Sequence, residues 1–198
     1  QVIKFLLSRK AEIEALSYEN SVRGRTPFHN AVKNGHIFIA KVLLEHGADP
    51  NAQQIKEPDY LPLSRAVHNN YIHMVRWLIE AMADVRKSDE ATHSYFLNAA
   101  VDKHNPNLEM VKLLIDSGAD LNAAASNTLH TPLHLAVNHT RGHTDESTEA
   151  LELLIASGAD LFAVDAKGRQ PLHYVFVKIG SANESKQLDP IEVCTLLT

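Results

Sequence analysis

Two short signatures recur in register along the chain, and no other feature of the sequence restricts its fold as strongly. The first appears as GRTPFHNAV (Gly24 to Val32), YLPLSRAV (Tyr60 to Val67), SYFLNAAV (Ser94 to Val101), HTPLHLAV (His130 to Val137) and GRQPLHYVF (Gly168 to Phe176). The second follows the first four of these: LLEHGADPNA (43–52), LIEAMADVRK (78–87), LLIDSGADLNA (113–123) and LLIASGADLFA (153–163). The opening stretch FLLSRKAEIEA (5–15) matches the second signature alone. Thr26, Leu61, Tyr95, Thr131 and Gln170 are equivalent, with separations of 35, 34, 36 and 39 residues. A unit this short cannot bury an apolar face by itself, so the units must stack.

Each unit reads as turn, helix, turn, helix, hairpin. A Thr-Pro pair starts the first helix, because the hydroxyl caps free backbone N–H groups and proline fits the first turn. The second helix follows an apolar spacing near 3.6 residues, as in AKVLL (40–44) and VRWLI (75–79). Gly47, Gly118 and Gly158 end it, where the backbone needs positive φ. Met82 and Lys10 take that place in two units, at a backbone cost of about 1 kcal/mol or more. Leu61, Tyr95 and Gln170 lack the capping hydroxyl, each costing about 1 kcal/mol. The units across 61–104 are therefore expected to open first.

The paired signatures resemble the ankyrin repeat, whose period is about 33 residues and whose marker is T-P-L-H-x-A. The resemblance covers almost the whole sequence. It implies an all-α ankyrin-repeat solenoid of stacked helix-turn-helix units with β-hairpin or loop connections. The expected organisation is one domain, a segment of a longer protein. Its units are a partial repeat at 1–20, repeats at 24–56 and 94–127, a degenerate repeat at 60–90, and repeats with inter-helix insertions at 130–165 and 168–198. The turn between the two helices gains residues around 102–108, 138–148 and 178–190. Such loops are cheap to lengthen. They could also serve as a second contact edge or carry phosphorylation at Ser147, Ser181 or Ser185.

His130 and His134 are four residues apart, the spacing of a zinc-binding pair on a helix. The repeat explains them otherwise. His29 and His173 occupy the place of His134, and neither has a histidine four residues before it. The family resemblance assigns this histidine to contacts that tie neighbouring repeats together. The pair in HTRGH (139–143) has no further ligand except Asp145 and Glu146 nearby. No metal or cofactor is expected.

No motif of phosphate binding, zinc hydrolysis or nucleophilic catalysis occurs, and no catalytic residue is expected. The recurring Gly-Ala-Asp places Asp49, Asp120 and Asp160, with Asp84, in hairpins. Cys194 lies on the apolar pattern of a second helix and cannot form an internal disulfide, since it is the only cysteine. The net charge is −5, which disfavours nucleic acid. No apolar run approaches the roughly 20 residues of a membrane span. An intracellular, cytoplasmic, monomeric domain is the expectation.

The resemblance implies that a protein or peptide binds on a concave face, built from the hairpins and the outward positions of the first helices. Those positions are Asn30, Arg65, Ala99, Leu135 and Tyr174, then Lys33, His68, Asp102, Asn138 and Val177, then Asn34, Asn69, Lys103, His139 and Lys178. Phe162 replaces the hairpin asparagine seen at Asn51 and Asn122. The expected contact residues are Leu135, Asn138, Phe162, Tyr174, Val177, Lys178 and Arg65, with Tyr174 pointing out of the core. The alternative is a structural or regulatory spacer that positions or covers a catalytic or membrane-targeting domain elsewhere. The resemblance also marks Asn122 for hydroxylation, with Leu114 eight residues before it and Leu121 adjacent.

Overall fold

The computed structural model describes residues 2–9, 11–17, 24–52, 61–86, 88–89, 94–102, 106–139 and 145–176. Lys10, Val177, Lys178, Ser181, Ser185, Cys194 and the 178–190 insertion lie outside them. Two compact units are present, Gln1–Thr92 and His93–Thr198.

The first unit holds α1 (Val2–Ser8), α2 (Pro27–Lys33), α3 (Ile37–Glu45), α4 (Pro62–His68) and α5 (Ile72–Glu80), then the two-residue strand β1 (Ser88–Asp89). The second holds the two-residue strand β2 (Ser94–Tyr95), α6 (Phe96–Val101), α7 (Leu108–Asp116), α8 (Pro132–His139), α9 (Asp145–Ala156) and α10 (Pro171–Phe176). Short first helices thus alternate with longer second helices, as the two signatures require. Each second helix packs on its own first helix, and first helices pack on their sequence neighbours: α2 on α4, and α6 and α10 on α8. The apolar positions of both signatures form the core. Phe28, Val32, Val42, Leu63, Val67, Val75 and Leu78 are buried in the first unit, and Phe96, Leu97, Met110, Leu114, Leu133, Leu151 and Leu154 in the second.

The helix ends follow the residues that occupy them. Thr26 caps α2 in a reciprocal box: its hydroxyl oxygen accepts the His29 N–H, and the His29 ring accepts the Thr26 N–H. Leu61 and Tyr95 start α4 and α6 with no side-chain cap. Asn107 caps α7 by accepting the Met110 N–H at 3.2 Å, which the repeat pattern did not foretell. Gly47, Gly118 and Gly158 have φ of 97°, 85° and 92°, and Met82 is forced to 66° in the same place. A Cβ at Gly47 or Gly158 would meet nothing within 4 Å, so only the backbone selects glycine there. Two further non-glycine residues hold positive φ among the described residues, Asn70 (57°) and Leu129 (55°).

The residues added between α8 and α9 are not all loop. α9 begins at Asp145 and runs for 12 residues, against nine in α3, α5 and α7. Ser147 sits in this helix and is only 2% exposed, so its hydroxyl is closed to a kinase, contrary to the expectation for that site.

Candidate interaction surface on the hairpins

Every Gly-Ala-Asp aspartate, and Asp84 of Met-Ala-Asp, turns its own hairpin. Asp49, Asp84, Asp120 and Asp160 accept, through Oδ1, the N–H two residues on, at 2.8 to 2.9 Å. Where the residue so fixed is asparagine, it then reaches the next hairpin. Asn51 accepts the Asp84 N–H at 3.0 Å and donates to the Met82 carbonyl at 3.3 Å. Asn122 accepts the Asp160 N–H at 2.8 Å. Glu14, in the same register, accepts the Asp49 N–H at 3.2 Å. Arg86 and Phe162 also occupy this place, and neither side chain carries an acceptor.

The T-P-L-H histidines tie the hairpins to the first helices. The His134 Nδ1 accepts the Thr131 N–H (3.2 Å) and lies 2.9 Å from the Thr131 hydroxyl. Its Nε2 donates to the Arg169 carbonyl of the next repeat at 3.0 Å. His29 does the same with Thr26 and with the Ala52 carbonyl, 3.0 Å away. Both rings are therefore neutral and fully engaged. Burial lowers both pKa values, against the raising effect of the carbonyl bond. His130 lies in the hairpin before α8, as the repeat pattern implies. It stacks on His134 at 5.8 Å between ring centroids, and turns its Nε2 to Tyr174.

Tyr174 does not point outward. It is 6% exposed, and its ring stands edge-on to His130 and His134, at 5.5 and 5.6 Å. The reason is the buried carboxylate of Asp165. The Tyr174 hydroxyl donates to Asp165 Oδ2 at 2.6 Å and accepts from Arg169 Nη2 at 2.6 Å. With that proton given to Asp165, the His130 Nε2–H, 2.6 Å away, is the remaining donor to the phenol oxygen. Asp165 also accepts the Lys167 and Arg169 N–H groups and Arg169 Nε, all at 2.8 Å. Burial alone would raise the Asp165 pKa, but these hydrogen bonds outweigh it and hold the carboxyl well below the usual range. Burial and the bond to Asp165 push Tyr174 up to about 12. The only sequence signal for this network is an aspartate four residues before Arg169; its link to His130 spans 35 residues.

The other expected contact residues divide. Phe162 is 73% exposed. Asn138 is exposed, and Leu135 and Arg65 are half-buried on α8 and α4. Val177 and Lys178 lie outside the described residues. Sequence reasoning missed two further exposed apolar side chains, Val164 (54% exposed) and Leu129 (43% exposed). Leu129 and Phe162 belong to hairpins joined by the Ala166 N–H and the Thr128 carbonyl at 2.9 Å. Leu129 stands where Gly24 and Gly168 stand in other repeats, at a φ that favours glycine. Among the described residues no group of three or more His, Cys, Asp or Glu side chains could hold a metal ion. No helix there is long and apolar enough to cross a membrane.

Comparison with known proteins agrees with this geometry. The family model described as "Ankyrin repeats (3 copies)" matches residues 1–89, 63–161 and 97–182. Similar proteins include "Ankyrin repeat and KH domain-containing protein mask-1" of Caenorhabditis elegans, 30% identical over 80% of this chain and 7% of its own length. "Palmitoyltransferase AKR1" of Lachancea kluyveri is 27% identical over 85% of this chain and 21% of its own. "Ankyrin repeat and SOCS box protein 6" of Homo sapiens is 30% identical over 83% of this chain and 40% of its own. The chain thus spans less than half the length of each.

Proposed function

The chain belongs to the ankyrin-repeat family, whose repeats generally mediate protein–protein interaction, and from that premise we propose that it is a non-catalytic, intracellular scaffold domain binding a protein or peptide on the hairpin side of its second unit. One observation carries the reading. At two adjacent hairpins a stabilising residue gives way to an exposed apolar one: Leu129 replaces glycine at positive φ, and Phe162 replaces the bridging asparagine. Neither exchange helps the fold, since an exposed side chain adds little burial and Leu129 carries a backbone cost that glycine avoids. Exposed apolar side chains on neighbouring hairpins, with exposed polar Asn138 on α8, fit the apolar centre and polar rim of a contact surface. Leu135, half-buried on α8, extends the expected face within this unit.

A photo-crosslinking residue placed at Phe162 tests the reading in cells. It should yield a discrete protein adduct, whereas the same residue at Phe38, an exposed aromatic on α3, should not. Equal adducts at both positions, or none at Phe162, would count against it.

A relative named a palmitoyltransferase favours a second reading, in which the repeats position or cover a catalytic domain elsewhere in the protein. The two separate by expressing residues 1–198 alone. A scaffold keeps its partner, and a spacer binds nothing in isolation. Asn122 is exposed at its hairpin and remains our candidate for hydroxylation. Mass spectrometry of cell-derived protein should find it modified where the hydroxylase is active, and an unmodified residue there would remove the assignment.

A further inference from the structure

The outward faces of the second helices carry a charge pattern that breaks at α9. In α3, α5 and α7 one outward position holds a cation and the position one turn on holds an acid: Lys41 and Glu45, Arg76 and Glu80, Lys112 and Asp116. Such pairs favour the helix that carries them. In α9 the equivalent positions are Glu152 and Ala156, and Glu149 precedes them by one turn. The exchange puts an acid in place of the cation and a small apolar side chain in place of the acid.

Between α7 and α9 this leaves a groove of about 540 Å³, within the range of about 300–1,000 Å³ typical of ligand sites. Leu108, Leu153 and Ala156 form its apolar floor. Glu109, Glu149 and Glu152 stand on its rim against one cation, Lys112. Neither Glu149 nor Glu152 has an ion-pair partner among the described residues. A second copy of the chain, at net charge −5, would bring like charge to this rim. Nucleic acid is excluded for the same reason.

We propose that the groove between α7 and α9 docks a basic segment of a partner protein, with an aliphatic side chain on the Leu108–Leu153–Ala156 floor and Lys or Arg facing Glu149 and Glu152. The site lies on the outer helices and does not depend on the hairpin reading. Because the carboxylates are exposed, their attraction is screened by salt, and the apolar anchor supplies the part that salt leaves intact.

The test uses fluorescence polarisation of a labelled amphipathic peptide of about 15 residues with leucines on one face flanked by arginines, against the 198-residue chain. The control peptide carries glutamate in place of each arginine. The arginine peptide should bind about tenfold tighter or better than the control, and more weakly at higher salt. Glu149→Lys with Glu152→Lys should weaken it by about tenfold, as should Ala156→Arg, which fills the floor. All three positions are exposed, and circular dichroism checks that each variant keeps its helices. Phe162→Asn should leave this affinity unchanged. No binding, equal binding of the two peptides, or affinity indifferent to both groove variants would overturn the proposal. Loss of binding in Phe162→Asn would overturn it too, by moving the peptide to the hairpins.

Discussion

Tyr174 shows how position in a repeat can mislead about a single residue. Its equivalents Asn30, Arg65, Ala99 and Leu135 are all half-exposed, so an outward tyrosine was the natural reading. The phenol instead follows its hydroxyl to the Asp165 carboxylate, and no local spacing announces a bond between His130 and a tyrosine 44 residues on. Tyr174→Phe keeps the ring but removes the donor to a buried carboxylate. It should lower the unfolding free energy by about 1–3 kcal/mol in urea denaturation; an unchanged midpoint would mean that the network adds nothing to the fold. Met82, by contrast, was fully legible. A methionine replaced the glycine of its neighbours, and the structure holds it at φ 66° with its side chain 82% exposed. Met82→Gly loses almost no burial and should stabilise the fold by about 1 kcal/mol. A loss of stability would show that the side chain packs somewhere after all.

At the scale of the helix, the start signals account for order and cost together. Thr26 caps α2, whereas Leu61 and Tyr95 leave α4 and α6 uncapped. Hydrogen exchange should therefore open α4 and α6 before α8, and the reverse order would contradict the assignment. The third full repeat lost two linked residues. Asn98 stands in the histidine place, where its Nδ2 donates to the His130 carbonyl at 3.0 Å. Among the described residues its buried Oδ1 has no hydrogen-bond partner, because the threonine hydroxyl that meets the histidine ring elsewhere is here Tyr95. Tyr95→Thr should be more stable than Tyr95→Ala by about 1 kcal/mol or more, since it restores both cap and donor. Equal stability would show that the hydroxyl finds neither. The histidines add a pH dependence. Burial lowers the His29 and His134 pKa values from 6.5, so below pH 6.5 the unfolded chain takes up protons before the folded one. Their contribution is whole above pH 6.5 and is lost as pH falls. Asp165, whose carboxyl is held down from 3.8, acts in the same sense in more acidic solution. The urea midpoint should drop between pH 7.5 and about 5, and His134→Gln should flatten that slope; an unaltered slope would assign the titration elsewhere.

For the molecule as a whole, helix order and core were readable because stacking forces the same apolar positions on every unit, and family resemblance follows from that constraint. The proposed interaction surface was readable only in part. Phe162 stood out as a break in the asparagine series, while Leu129 hid in a stretch, SNTLHTP, whose glycine had already been lost. The first outward row, Asn30, Arg65, Ala99, Leu135 and Tyr174, falls on the first helices, whereas Asn34, Asn69 and Asp102 lie just past theirs; exposure depends on partners in the next repeat, which a single row does not reveal. The central claim is that Leu129 and Phe162 are retained for binding at the expense of stability. It is tested most directly in the double variant Leu129→Gly/Phe162→Asn, by measuring the affinity for the crosslinked partner and the Tm of the same preparation. Affinity should fall by about tenfold or more while Tm stays level or rises. Full affinity in a folded double variant, or a loss of affinity that merely tracks a falling Tm, would contradict the account.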